Sequence, residues 1–124
     1  FGATITKFVT ASGLDVIWVS SKAKLDGTKA IRGGIPLVFP QFGTPIKDMA
    51  QHGFARNNCW TVGEPTVVEG TEDVRCVFGL DNTVDTHEAW PHPYRLEFCV
   101  TLGAEALTTT LTVHYTGEEP FKFM

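Results

Sequence analysis

From Tyr94 onward the chain alternates with a period of two: Tyr94, Leu96, Phe98, Val100 and Leu102 point one way, Arg95, Glu97, Cys99 and Thr101 the other. That pattern predicts a half-buried β-strand. After a short GAEA break, Leu107, Leu111, Val113 and Tyr115 share a face with Thr109, while Thr108, Thr110, Thr112 and His114 take the opposite one. The two runs together predict a hairpin. Val74 to Leu80 repeats the theme with Val74, Cys76, Phe78 and Leu80 in step; Thr4 to Thr10, Val16 to Ser20 and Thr66 to Val68 do so less cleanly. No segment sustains a helical period. Short runs rich in Val, Thr and Phe, separated by Gly, Asp-Gly, Asn and Pro, predict an all-β protein, an antiparallel β-sandwich.

The stretch from Asp26 to Trp60 departs from this pattern, with Asp-Gly, Gly-Gly and three prolines among scattered aromatics. Long irregular segments in small domains are functional or disordered, and Ile35, Leu37, Phe39, Phe42, Phe54 and Trp60 supply too much apolar surface for disorder. We expect an ordered, site-forming segment.

A chain of 124 residues that is 43% hydrophobic has the size and core of one domain, and it contains no internal repeat, linker or low-complexity tract. Its net charge of −4 and lack of a Lys/Arg cluster argue against nucleic-acid or anionic-membrane partners. No apolar stretch reaches bilayer length, and FGATITKFVT lacks the order of a signal peptide. Beginning at Phe1 and stopping at FKFM just after TGEEP, the chain reads as a piece cut from a longer polypeptide. The expected compartment is therefore cytoplasmic, with an organelle requiring a signal outside these residues. Cys59, Cys76 and Cys99 form no CxxC pair and are odd in number, which favours reduced thiols; Cys76 and Cys99 are expected to pack as small hydrophobes in the core.

Candidate chemistry collects in the irregular segment. In IRGGIP, Arg32 precedes two glycines whose missing Cβ atoms allow a sharp bend and close approach of backbone N–H groups to an anion. Its guanidinium is a planar fork suited to phosphate or carboxylate, though the same arrangement also fits a surface arginine beside a turn. QHGFARN places His52 and Arg56 four residues apart. The histidine can donate, accept or move a proton near neutral pH, and the arginine can meet the anion that Arg32 meets. Gln41, in FPQFG, adds an amide able to donate to and accept from a hydroxyl. Arginines, histidine, amide and aromatic rings suit a polyhydroxylated, negatively charged small molecule.

These blocks carry a resemblance. SSKAKLDGTKAIRGGIPLVFPQFG, then QHGFARN followed by Trp60, then WPHPYRLEFCVTL and LTTTLTVHYTGEEPFKF, resemble the N-terminal half of the hexose-phosphate mutarotase branch of the aldose 1-epimerase family, over nearly the whole chain. The resemblance implies a galactose-mutarotase-like supersandwich, here truncated, with residues 1–124 the N-terminal part of a single domain. It implies interconversion of the α and β anomers of a hexose 6-phosphate without metal or organic cofactor, and a monomer at full length. Arg32 and Arg56 match phosphate-holding arginines, His52 the histidine that orients the sugar ring or polarises its oxygen, and Gln41 a residue of the same cleft. The family's principal acid and base, in an LHTY-like motif and near the C-terminus, have no counterpart in these 124 residues. The chain by itself is thus expected to bind and not to catalyse, and to fold poorly with sheet edges unpaired. HYTG and IKDMAQ depart from the family pattern without touching the four carried-over positions. Two rival readings are a non-catalytic sugar-phosphate module of the same fold and a purely structural β-sandwich.

The remaining polar residues have blander readings. His87, His92 and His114 are too scattered for a zinc site. We expect His92 at a strand entry beside Trp90 and Tyr94, His114 on an outer face, and Asp26-Gly27 in a tight turn with a salt bridge to Arg32 left open. Asp81, Asp85 and Glu88 form an acidic loop.

Overall fold

The computed structural model describes residues 1–122. Strands β1 (Thr61–Val62), β2 (Thr66–Val67), β3 (Val74–Asp81), β4 (Tyr94–Leu102) and β5 (Leu107–Tyr115) form one antiparallel sheet, with helix α1 (Val84–Ala89) between β3 and β4. The order is β1-β3-β4-β5, and β2 shares the β3 edge with β1. β4 and β5 are the strands that the alternation predicts, with the same limits. Register sets their apolar residues in rows across one face: Phe78 lies opposite Phe98 and Phe98 opposite Leu111, and Leu80, Leu96 and Val113 follow suit. Such cross-strand pairs are the unit of sheet stability.

The irregular segment supplies the cover for that face. Leu37, Phe39, Met49, Phe54, Ala55 and Trp60 join Leu80, Trp90, Tyr94, Leu96 and Phe98 in one core. Phe39 is its centre, with ring centroids 5.2 Å from Trp90, 5.6 Å from Tyr94 and 6.0 Å from Phe54. Coverage is uneven along β4: Leu96 is fully buried, whereas Leu102 at the far end is 48% exposed.

Several expectations need correction. Thr4 to Thr10 and Val16 to Ser20 are not strands; they contribute only isolated bridges, Ile5 to Ile35, Val9 to Asp15 and Val19 to Gly33. For the Ile5 and Val19 bridges the partner segment limits extension, because Gly33 and Gly34 have φ of 114° and 72° and Pro36 has no N–H. A helix exists where none was expected. Thr83 caps it: its hydroxyl accepts from the Thr86 N–H at 3.2 Å while Thr86 Oγ1 accepts from the Thr83 N–H at 2.9 Å, a reciprocal box. At six residues α1 is too short to display a 3.6-residue period. Asp85 lies on α1 and Glu88 with it, so the acidic loop is a helix surface, and Asp81 instead faces Arg95 at 3.8 Å. The thiols are not core residues either: Cys76 and Cys99 are half-buried, and Cys76 Sγ donates to the Gly63 carbonyl at 3.3 Å. His92 does pack on Trp90, centroids 4.6 Å apart, and His114 is exposed on its strand, 4.0 Å from Glu97. No helix among the described residues is long and apolar enough to cross a membrane.

Two stability predictions follow from the burial gradient and from Tyr94. Leu96→Ala should cost about 2–5 kcal/mol by leaving a cavity, against about 1 kcal/mol or less for Leu102→Ala, read as denaturation midpoints at constant slope. The Tyr94 hydroxyl is buried with no well-formed hydrogen bond, and burial raises its pKa above the ordinary phenol value, an effect that nearby Thr86 and Asn82 only partly offset. The neutral phenol is favoured in the folded state, so its contribution is intact below about pH 10 and is lost as pH rises toward the folded value. Tyr94→Phe should therefore flatten the alkaline limb of a stability-against-pH curve.

Candidate functional site

The FPQFG and HGFAR blocks are tied backbone to backbone. The Phe39 carbonyl accepts from the Phe54 N–H at 3.0 Å and the Ala55 N–H at 3.4 Å, and Phe39 forms a parallel bridge with Gly53. Only glycine fits at position 53: φ is 74°, and a Cβ would stand 1.9 Å from the Phe39 oxygen. A 3-10 turn at Ala55–Asn57 then carries Arg56 away from the core.

His52 is locked to Gly43 from both sides. Its N–H donates to the Gly43 carbonyl at 2.8 Å, and its Nδ1 accepts from the Gly43 N–H at 3.0 Å. His52 itself sits at φ of 66°, a strained setting for a residue with a Cβ. An Nδ1 that accepts must carry no proton, so the neutral ring presents Nε2–H as a donor. The Phe42 ring lies over the imidazole, centroids 4.8 Å apart at 55°.

In this structure Gln41 turns into its own loop. Its side chain is fully buried, its Oε1 accepts from the Ile46 N–H at 2.7 Å, and its Nε2 donates to the Ala50 carbonyl at 3.1 Å. Both ends of the amide are thus taken by backbone groups, which close the loop from Gln41 to Ala50 and leave no donor for a ligand hydroxyl. Sequence alone does not show which partners an amide will find.

The two arginines are uncommitted in different ways. Arg56 is half-buried; one terminal nitrogen, Nη2, donates to the Gln51 carbonyl at 3.0 Å, while its Nε is buried with no partner. Arg32 is exposed, and Asp26 does not meet it. Asp26 Oδ1 instead accepts from the Thr28 hydroxyl at 2.6 Å and the Thr28 N–H at 3.1 Å, bonds that lower its pKa. Among the described residues neither arginine pairs with a carboxylate. Residues 2–5 run between the segments that bear them: the Gly2 N–H donates to the Asn58 carbonyl at 2.8 Å, and the Ile5 and Ile35 backbones exchange two hydrogen bonds. Gln41, His52 and Arg56 therefore belong to one knot, and Arg32 reaches it only through this intervening strand-like segment. Two recesses lie elsewhere. One of about 380 Å³ separates residues 1–7 from Phe78, Phe98 and Val100, and one of about 510 Å³ is lined by Asn82, Thr83, Val84, His87 and Glu88.

The model of the aldose 1-epimerase family matches residues 1–124. The chain belongs to the aldose 1-epimerase family. It is 32% identical over 129 residues to a Cenchrus ciliaris protein provisionally named glucose-6-phosphate 1-epimerase, covering 99% of this chain and 39% of that one. An Escherichia coli K12 protein with the same provisional name is 33% identical over 96 residues, covering 77% of this chain and 32% of its own. The chain thus spans about two fifths or less of the length of these relatives. Among solved structures, a provisionally named mutarotase from Salmonella typhimurium superposes with a TM-score of 0.81 at 27% identity, over 91% of this chain and 38% of that one. The Slr1438 protein from Synechocystis sp. PCC 6803 gives the same TM-score at 25% identity, over 94% and 42%. The fold is that of the galactose-mutarotase-like β-sandwich, represented here in part.

The contact at position 53 yields a comparison. Gly70 has the same backbone twist, φ of 76°, but open space where a Cβ would go. Gly70→Ala should cost about 1–2 kcal/mol from conformation alone, whereas Gly53→Ala must also displace the Phe39 carbonyl and should cost more than about 4 kcal/mol. Paired denaturation curves measure the difference.

Proposed function

We propose that this chain carries the sugar-phosphate-binding portion of a hexose-6-phosphate 1-epimerase, with residues 1–124 forming the N-terminal part of one galactose-mutarotase-like domain. The observation that supports this most is the HGFAR turn: one imidazole with a single free N–H, followed by a half-buried guanidinium that no carboxylate neutralises. A guanidinium whose Nε is buried without a partner is costly, and an anion at this point would complete it. Arg32 and Arg56 hold the 6-phosphate. His52 donates from Nε2 to the ring oxygen or a neighbouring hydroxyl, and Gln41 acts behind the site by keeping its loop closed.

Epimerisation moves two protons. A base takes the proton of the anomeric hydroxyl while an acid protonates the ring oxygen; the C1–O5 bond breaks, C1–C2 rotates, and closure reverses both transfers on the other face. His52 is poorly placed for either transfer, because its Nδ1 is spent on an amide N–H that cannot give up its proton. The acid and base of this proposal lie outside residues 1–124. A non-catalytic sugar-phosphate module would share every feature of the binding half, and catalysis by the full-length protein is what separates the two readings.

Anomer exchange of glucose 6-phosphate, followed by saturation-transfer NMR, tests the proposal on the 124-residue chain and on the full-length protein. The expected result is acceleration by the full-length protein alone. Fast exchange by the chain would overturn the assignment of acid and base. Arg32→Ala and Arg56→Ala should each weaken glucose 6-phosphate binding about tenfold or more, the loss of a charge-assisted hydrogen bond; unchanged binding in the double variant would remove the phosphate site.

A further inference from the structure

Phe42 is a large apolar residue that the fold holds in the open. It is 69% exposed, yet its neighbours on both sides are pinned: Gln41 is fully buried, and Gly43 is bonded twice to His52. The ring is not part of the Phe39 core. It lies instead against the imidazole, at 4.8 Å and 55°. The hydrogen bonds that orient His52 thus sit beside an exposed aromatic ring.

We propose that Phe42 is a sugar-binding and positioning residue, an aromatic platform on which the apolar face of the hexose ring rests while His52 Nε2–H donates to one of its oxygens. This rests on the sugar-phosphate reading above and names the contact that the arginines cannot make. The ring C–H groups of a hexose carry partial positive charge and form an apolar patch, which is complementary to the negative face of an aromatic ring. Arginines recognise the phosphate and are indifferent to what it is attached to; a platform beside a single fixed donor recognises the sugar and sets its distance from His52. Phosphate affinity and sugar affinity should thus be separable by residue.

The test uses the full-length protein, titrated with glucose 6-phosphate and, separately, with inorganic phosphate, for wild type, Phe42→Ala, Phe42→Leu and Phe42→Trp. The His52 ring resonances report contact at the donor. Phe42→Ala and Phe42→Leu should weaken glucose 6-phosphate about five- to tenfold, leave inorganic phosphate unchanged and reduce the ligand-induced shift of the His52 ring; Phe42→Trp should retain binding. Equal weakening of both ligands would mean that Phe42 only supports the loop, and unchanged binding of both would mean that it touches no sugar; either result overturns the proposal while leaving the phosphate site standing. Wild-type protein that binds neither ligand would overturn the sugar-phosphate reading and this inference with it. A rise in KM with kcat preserved in Phe42→Leu would agree with sugar binding, and a fall in kcat alone would contradict it.

Discussion

The contact between Gly53 and the Phe39 carbonyl is the constraint on which the rest depends. Phe39 belongs to two structures at once: its ring is the middle of the aromatic core, and its carbonyl is the acceptor around which HGFAR turns. No side chain can stand between the two backbones, since a Cβ on Gly53 would occupy the space of the Phe39 oxygen. Core packing therefore fixes the position of the site directly, without an intervening flexible loop. A site on backbone that is itself part of the core keeps its geometry to within the tolerance that ligand recognition demands.

From that contact the electrostatic character of the site follows. His52 is held at a positive φ, and its imidazole must then point Nδ1 at the Gly43 N–H. One nitrogen is committed and the other is defined as a donor. Arg56, four residues on, leaves the 3-10 turn with its Nε buried and without a partner. In a chain of net charge −4, acidic residues are plentiful, yet among the described residues Asp81 pairs with Arg95 and no carboxylate reaches Arg56. Such an arrangement favours a ligand that brings its own negative charge.

How much of this was legible in the sequence depends on the length over which a signal repeats. β4 and β5 each run for nine residues, long enough for period-two alternation to fix both face and boundaries. Helix α1 spans less than two turns and announces itself only through its Thr83 and Thr86 cap. The Thr4 and Val16 runs have strand composition, but their bridges to the IRGGIP segment stop at one rung, a limit set by Gly33, Gly34 and Pro36 and not by the runs themselves. Site residues divide in the same way. Residue type identified Arg32, His52 and Arg56 as candidates, but type could not tell a ligand-binding amide from a loop-closing one, and Gln41 is the second. Phe42 was one of several aromatics in the segment, and the sequence does not separate it, exposed, from Phe39 and Phe54, which are buried.

If the proposed epimerisation is the reaction, the His52 contact with Gly43 bears on how labour is divided in it. Interconversion of two anomers is symmetric in its chemistry, so the group that protonates the ring oxygen during opening must retrieve that proton during closure. A group with such a role needs two accessible protonation states in one geometry. For His52 the second state would place an N–H on Nδ1 against the Gly43 N–H, two donors facing each other at a separation now suited to one donor and one acceptor. A fixed donor lowers the barrier by stabilising charge that develops on oxygen, and it does so equally for opening and closure. On the proposed reading, proton transfer belongs to groups freer to change state, and the knot of FPQFG and HGFAR holds the sugar still.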